Sequence, residues 1–187
     1  MKKLPLGIQS YKEIRTNNYY YVDKTKFILK LFNTGKFFFL SRPRRFGKSL
    51  FLDTVDKFYS GKKELFKGLY LYDNWNWNQT YPVLHLSFGS GVIRNLRELK
   101  ENFNLFLDQI KNKYSLLYTT TSSRNKFLQA IHQIYEKSGS KIVILIDEYD
   151  KPILDQINRP NEVKDIRDEL KNIYSVLKDA DEYLHKR

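Results

Sequence analysis

Apolar residues in this chain recur with two rhythms, and their alternation predicts the fold class. Leu96, Leu99, Phe103, Phe106, Leu107, Ile110, Tyr114 and Leu117 return every three or four residues, the spacing of one face of a long helix. The same period sets Leu50, Phe51, Val55, Phe58 and Tyr59 on a helix that starts at Lys48 and stops at Gly61. It sets Phe127, Leu128, Ile131, Ile134 and Tyr135 on another, ended by Gly139, and Ile166, Leu170, Ile173, Leu177 and Leu184 on a last one over residues 165–184. A shorter helix, capped by Asp23 or Thr25, carries Phe27, Ile28, Leu31 and Phe32 and ends at Thr34 and Gly35. Between these lie compact apolar runs at 36–41, 83–88 and 141–146 that predict strands. The first and third have almost no polar alternation, which suits central parallel strands covered on both faces. Residues 1–22 and 62–81 read as irregular, with Phe66, Leu69, Trp75 and Trp77 as anchors of the second stretch. The polar run 119–123 is a linker. Strands alternating with helices predict an α/β fold.

Composition narrows this picture. The 187 residues suffice for one domain with a real core, and 41% hydrophobic and 16% aromatic content argues for a folded chain. The absence of cysteine excludes a disulfide scaffold and a cysteine metal cluster. No apolar run approaches membrane-spanning length, and the basic start lacks the apolar stretch of a signal peptide. A cytoplasmic location and no membrane partner are expected. The formal charge of +12 favours polyanions, either a nucleotide ligand or DNA or RNA, against the plainer alternative of a lysine-rich solvated surface. His85, His132 and His185 show no metal-ligand spacing. Tyr19, Tyr20 and Tyr21 could stack on bases, but core anchoring is the simpler reading.

Chemistry concentrates after two of the apolar runs. Arg42-Pro43-Arg44-Arg45-Phe46-Gly47-Lys48-Ser49 satisfies the phosphate-loop pattern G-x-x-x-x-G-K-[ST] everywhere except Arg42. Gly47 lets the backbone approach a phosphate, and successive amides with the helix N-terminus form an anion nest. Lys48 reaches β- and γ-phosphates, and Ser49 offers a hydroxyl to magnesium. Arg44, Arg45, Phe46 and Leu50 complete the cofactor-binding set with Gly47, Lys48 and Ser49. Pro43 has no amide to contribute, and Arg44 and Arg45 offset this by charge.

The third apolar run leads directly into Asp147 and Glu148. Carboxylates at a sheet's end project into a crevice or pair with a cation, because unpaired burial is costly. Next to a phosphate loop, Asp147 holds magnesium and Glu148 activates the water that attacks the γ-phosphate. Taken alone, both acids would be read as capping the following turn or pairing with surface lysines.

Together these stretches resemble the AAA-ATPase-like family of bacterial and archaeal proteins. The strings carrying the resemblance are Ser41-Arg42-Pro43-Arg44-Arg45-Phe46-Gly47-Lys48-Ser49 and Leu145-Ile146-Asp147-Glu148-Tyr149-Asp150-Lys151-Pro152. Tyr21-Val22-Asp23-Lys24-Thr25 and Glu64-Leu65-Phe66-Lys67-Gly68-Leu69 add to them, and the likeness runs over essentially the whole chain. It implies a P-loop NTPase-type parallel sheet flanked by helices, with residues 1–35 as an N-terminal segment and 36–187 as the P-loop core. It implies ATP and Mg2+ as ligands, with Lys48 and Glu148 catalytic and Ser49 and Asp147 on the metal. Arg42 and Pro43 become the family's own form of the loop, and Asp150 supports the site. Members of this family continue into a strand with a polar sensor residue, and many carry a C-terminal domain resembling a PD-(D/E)xK nuclease. Neither motif stands here, so an incomplete sheet is expected, closed by self-association or by a missing C-terminal domain. The alternative functions are a nucleic-acid-binding or assembly module without turnover, and an inactive fragment.

Overall fold

A computed structural model describes residues 2–35, 37–43 and 45–185. The chain forms two compact units, residues 1–83 with 185–187, and residues 84–184.

The second unit is helices packed on a small sheet. Strands β1 (Val83–Ser87) and β2 (Val143–Asp147) pair in parallel. Helices α5 (Leu96–Tyr114), α6 (Ser123–Ser138) and α8 (Pro160–Asp179) supply most of the core. The stripes are buried through Leu99, Phe103, Phe106, Leu107 and Ile110 of α5, and Phe103 meets Phe127 of α6 edge-on with ring centroids 5.6 Å apart. Leu117 does not continue the α5 stripe: the helix ends at Tyr114 with a left-handed Ser115, which buries Leu116 and leaves Leu117 exposed. Each boundary has a local cause. Asn95 accepts the Glu98 amide at 2.9 Å, while Glu98 Oε2 accepts the Arg94 amide at 2.8 Å, a reciprocal cap. Gly139 ends α6 at φ +63°, a conformation that suits glycine. The α/β order and the incomplete sheet expected from the sequence are both present.

The last helix lies elsewhere than expected. It opens at Pro160, whose missing amide costs nothing in a first turn, and it closes at Asp179. A 3-10 turn, Asp181–Tyr183, then releases Leu184 to a parallel bridge with Ile142, and the Ile142 amide donates to Tyr183 O at 2.9 Å. Leu184 is therefore buried by a backbone bridge, although its spacing fits the helical stripe.

The first unit is helical and aromatic. It holds α1 (Tyr11–Thr16), α2 (Thr25–Thr34), α3 (Lys48–Tyr59), a 3-10 turn at Lys63–Phe66 and α4 (Tyr70–Asp73). Phe32 and Phe58 pack on Trp75 at 4.6 and 4.7 Å, and Phe66 packs on Trp77 at 5.0 Å. Such ring pairs add about 0.5–1.5 kcal/mol each beyond area burial. Phe66, Trp75 and Trp77 thus anchor 62–81 as expected. Asp23 organises α2 without being its terminal residue. Its carboxylate accepts the Thr25 amide and hydroxyl and, at 2.7 Å, the Tyr70 amide.

Two expectations are corrected here. Residues 1–22 are not all irregular: Ser10 caps α1 by accepting the Glu13 amide at 3.2 Å, and Tyr11 is fully buried with its hydroxyl on Leu65 O. Residues 37–41 are not a strand, and Lys36 lies outside the described residues. Phe37, Phe38 and Phe39 are 65%, 50% and 71% exposed. An apolar run becomes a strand only where a neighbouring strand takes up its ladder, and among the described residues the sheet consists of β1 and β2 alone.

Candidate functional site

The phosphate loop belongs to the first unit. Arg45 has φ +68° and Gly47 has φ +73°, so two left-handed residues flank Phe46 immediately before α3. Alternating backbone handedness of this kind is the geometry of an anion nest, but the Phe46 amide donates within the loop to Pro43 O at 3.4 Å, which leaves the amides at the start of α3 to face an anion. An added Cβ on Gly47 would meet nothing within 4 Å, so its backbone is open to an approaching group. Lys48 and Ser49 form the first turn of the twelve-residue α3 and are half-buried, as is Leu50. The helix dipole and free N-terminal amides add favourable potential for an anion there. Arg45 and Phe46 are exposed. Arg44 lies outside the described residues.

Arg42 stands where the loop pattern has its first glycine, and its backbone is not left-handed. Its guanidinium lies 5.4 Å from the centroid of the Phe51 ring and donates a long hydrogen bond, 3.5 Å, to Phe46 O. The side chain folds back across the loop and pins it to α3. Sequence comparison with the loop pattern could mark Arg42 only as a departure.

The acidic strand end belongs to the second unit. β2 ends at Asp147, and the Phe88 amide at the end of β1 donates to Asp147 O at 3.2 Å. Asp147 is half-buried, and its Oδ1 accepts the Glu148 amide at 3.0 Å. Turn capping by Asp147, the plainer reading of this carboxylate, is thus realised, and its second oxygen is left for other use. Glu148 is exposed and adopts φ +50°. A non-glycine residue in this region is strained, and such strain collects at functional turns. Asp150 closes the turn through its carbonyl, which accepts the Ile153 and Leu154 amides, and Pro152 is buried in α7 (Lys151–Leu154). Tyr174 of α8 donates to Tyr149 O at 3.3 Å from beneath. Burial, with the Asp150 charge adding to it, pushes its hydroxyl pKa well up.

No group of three or more His, Cys, Asp or Glu side chains fit to hold a metal forms among the described residues. The donor set named from the sequence, one hydroxyl and one carboxylate, does not need such a group, since magnesium keeps several waters and takes phosphate oxygens. Among the tyrosines, Tyr21 is a core residue, its ring 5.1 Å from Tyr11 and its hydroxyl 3.4 Å from Thr54 Oγ1, whereas Tyr20 is 52% exposed. No helix among the described residues is long and apolar enough to cross a membrane.

A family profile described as predicted AAA-ATPase matches residues 5–187. The chain belongs to this AAA-ATPase-like family. A protein of Azotobacter chroococcum mcd 1, described as an uncharacterized protein in the vnfD 5' region, is 47% identical over 184 residues. That match covers 98% of this chain and 36% of the relative, so the AAA-ATPase-like chain spans about a third of that protein's length. No solved structure matches. Membership supports nucleotide binding at the level of the family.

Proposed function

We propose that this chain is the ATP-binding portion of a magnesium-dependent ATPase. The observation that carries the reading is the left-handed pair Arg45 and Gly47 at the entrance to α3, followed at once by Lys48 and Ser49. Lys48 neutralises charge on the β- and γ-phosphates, and the loop amides with Arg44 and Arg45 hold the polyphosphate. Ser49 would offer a hydroxyl and Asp147 a carboxylate to Mg2+, which would supply further neutralisation of phosphate charge. Glu148 orients a water for in-line attack on the γ-phosphorus and takes its proton. The bond from phosphorus to the bridging oxygen breaks, and ADP leaves with the electron pair.

Calorimetric titration of Mg-ATP into wild type, Lys48→Ala and Glu148→Gln tests this. Binding by wild type and Glu148→Gln but not by Lys48→Ala is expected, with full turnover in wild type and only a slow residual rate in Glu148→Gln. Equal affinity of folded Lys48→Ala and wild type would place the nucleotide elsewhere.

A second reading, nucleic-acid binding without turnover, is favoured by the distribution of charge. Residues 1–83 with 185–187 hold 18 Lys and Arg against 6 Asp and Glu, a net of +12. Residues 84–184 hold 15 of each, a net of zero. The whole excess of the chain therefore falls in the unit that carries the phosphate loop. Salt-sensitive DNA or RNA binding that survives Lys48→Ala would establish this activity, and no binding at low salt would remove it.

A further inference from the structure

The turn that carries Glu148 is held from one side by the loop that follows β1. Phe88 ties the end of β1 to Asp147 O. The next residue, Gly89, lies against the Glu148 carboxyl group: a Cβ added there would stand 3.4 Å from Glu148 Cδ, 3.6 Å from Oε1 and 3.2 Å from Ser87 Oγ. Ser87 Oγ in turn accepts the Gly89 amide at 3.2 Å. Gly89 is not left-handed, so an added side chain would be resisted by these neighbours and not by its backbone.

The far end of the same loop is fastened to the helix that follows Glu148. Lys151 Nζ donates to Gly91 O and to Asp155 Oδ2, the latter at 2.7 Å. Asp155 Oδ2 also accepts the Ile93 amide at 3.0 Å, and Gln156 Nε2 donates to Ile93 O at 2.7 Å. Ile93 and Gln156 are both buried, so the bond from Gln156 to Ile93 O is shielded from water and costly to lose. Burial alone would raise the Asp155 pKa, but the Lys151 and Ile93 hydrogen bonds and the ammonium charge outweigh it and hold the carboxyl below its ordinary range. The chain thus runs from β1 through Gly89 and Ile93 to Asp155, and from Lys151 back through Glu148 to β2, as one closed ring of contacts.

We propose that the 88–93 loop, locked by Lys151, Asp155 and Gln156, is the positioning element that aims the Glu148 carboxylate, with Gly89 setting its distance. The proposal rests on the reading of Glu148 as the general base. Glu148 is exposed and its backbone strained, so its own packing does not fix the carboxylate. A general base displaced by an ångström loses about a hundredfold in rate. A loop that supplies contact on one side and a rigid anchor at its far end meets that requirement.

The test measures single-turnover ATP hydrolysis and ATP affinity in the full-length protein for Gly89→Val, Lys151→Met and Lys151→Arg, with Gly89→Val repeated in a Glu148→Gln background. Gly89→Val and Lys151→Met are expected to slow hydrolysis about tenfold or more while the ATP Kd stays within about twofold. Lys151→Arg, which keeps donors for Gly91 O and Asp155, restores most of the rate. In the Glu148→Gln background Gly89→Val has no further effect, because the group it displaces is gone. Wild-type rates in Gly89→Val and Lys151→Met overturn the proposal, as does an equal fall in both backgrounds or a loss that follows Kd. Hydrolysis by Glu148→Gln at the wild-type rate overturns instead the reading of Glu148 as the base.

Discussion

The two units solve the problem of a small core in opposite ways. The first unit is mainly helical and packs rings: Phe32, Phe58, Phe66, Trp75 and Trp77 are joined through their faces and edges. The second packs aliphatic stripes of three helices, centred on α5, α6 and α8, with a phenylalanine cluster at Phe103, Phe106 and Phe127. The first carries the entire charge excess and the phosphate loop, whereas the second is neutral and carries the acids. Charge and chemistry have been sorted together.

Core truncation should break the comparison most strongly. Phe58→Ala in the first unit and Phe103→Ala in the second each remove a fully buried ring, at about 3–5 kcal/mol. Native-state hydrogen exchange should show Phe58→Ala loosening α3 while α5 and α6 stay protected, and Phe103→Ala the reverse. Uniform loss of protection in either variant would mean that the units unfold as one body.

Charge reversal comes next. On the nucleic-acid reading, Lys24→Glu with Lys26→Glu, both exposed in the first unit, should lower affinity for a DNA or RNA oligomer about tenfold and flatten its salt dependence by about one to two counterions. Lys111→Glu with Lys164→Glu in the second unit should leave it unchanged. Equal losses from the two pairs would show that net charge, and not its placement, drives association.

Helix caps probe the difference on a finer scale. Ser10→Ala and Asn95→Ala each remove one side-chain cap, worth about 1 kcal/mol in chemical denaturation. Asn95→Ala should cost more, since Glu98 closes a reciprocal bond there, whereas Ser10 is an exposed cap on a helix of only six residues.

The smallest effect near neutral pH is ionisation of buried tyrosines. Burial, with Tyr81 nearby, raises the Tyr59 pKa from 10.0 to about 12, and burial, with Asp108 nearby, raises Tyr118 to about 12. A raised folded pKa means that stability is complete below about pH 10 and is lost as pH rises through about 12. Melting temperature should be flat at neutral pH and fall across that window, and Tyr118→Phe should lessen the fall. An undiminished fall in Tyr118→Phe would assign it to other tyrosines.

Much of this was legible beforehand where one physical signal acted alone. The α3 and α5 helices follow from apolar period, and α6 ends where Gly139 permits a left-handed residue. The helix α1 was also signalled, by Ser10 with Glu13 three residues later, but its six residues carry too little periodicity to stand out. For the candidate phosphate loop, the order glycine, lysine, serine before an apolar helical stripe marked the place, and the structure adds that Gly47 is left-handed. Arg42 was visible only as an exception, because its contact with Phe51 spans nine positions and no local rule anticipates it.

By itself, then, the sequence determined the α3, α5 and α6 helices, the α/β order and where the candidate chemistry lies in the chain, because periodicity, capping residues and motif spacing act between near neighbours. Only the tertiary structure decided which apolar runs became strands. Residues 37–41 and 143–147 are both apolar runs, yet only the second meets a neighbouring strand that completes its hydrogen bonds. The same holds for Gly89 beside Glu148, and for Lys151 and Asp155 on Gly91 and Ile93, which lie about sixty residues apart. Contacts at that separation form only when the chain has closed on itself, and no property of either residue alone encodes them.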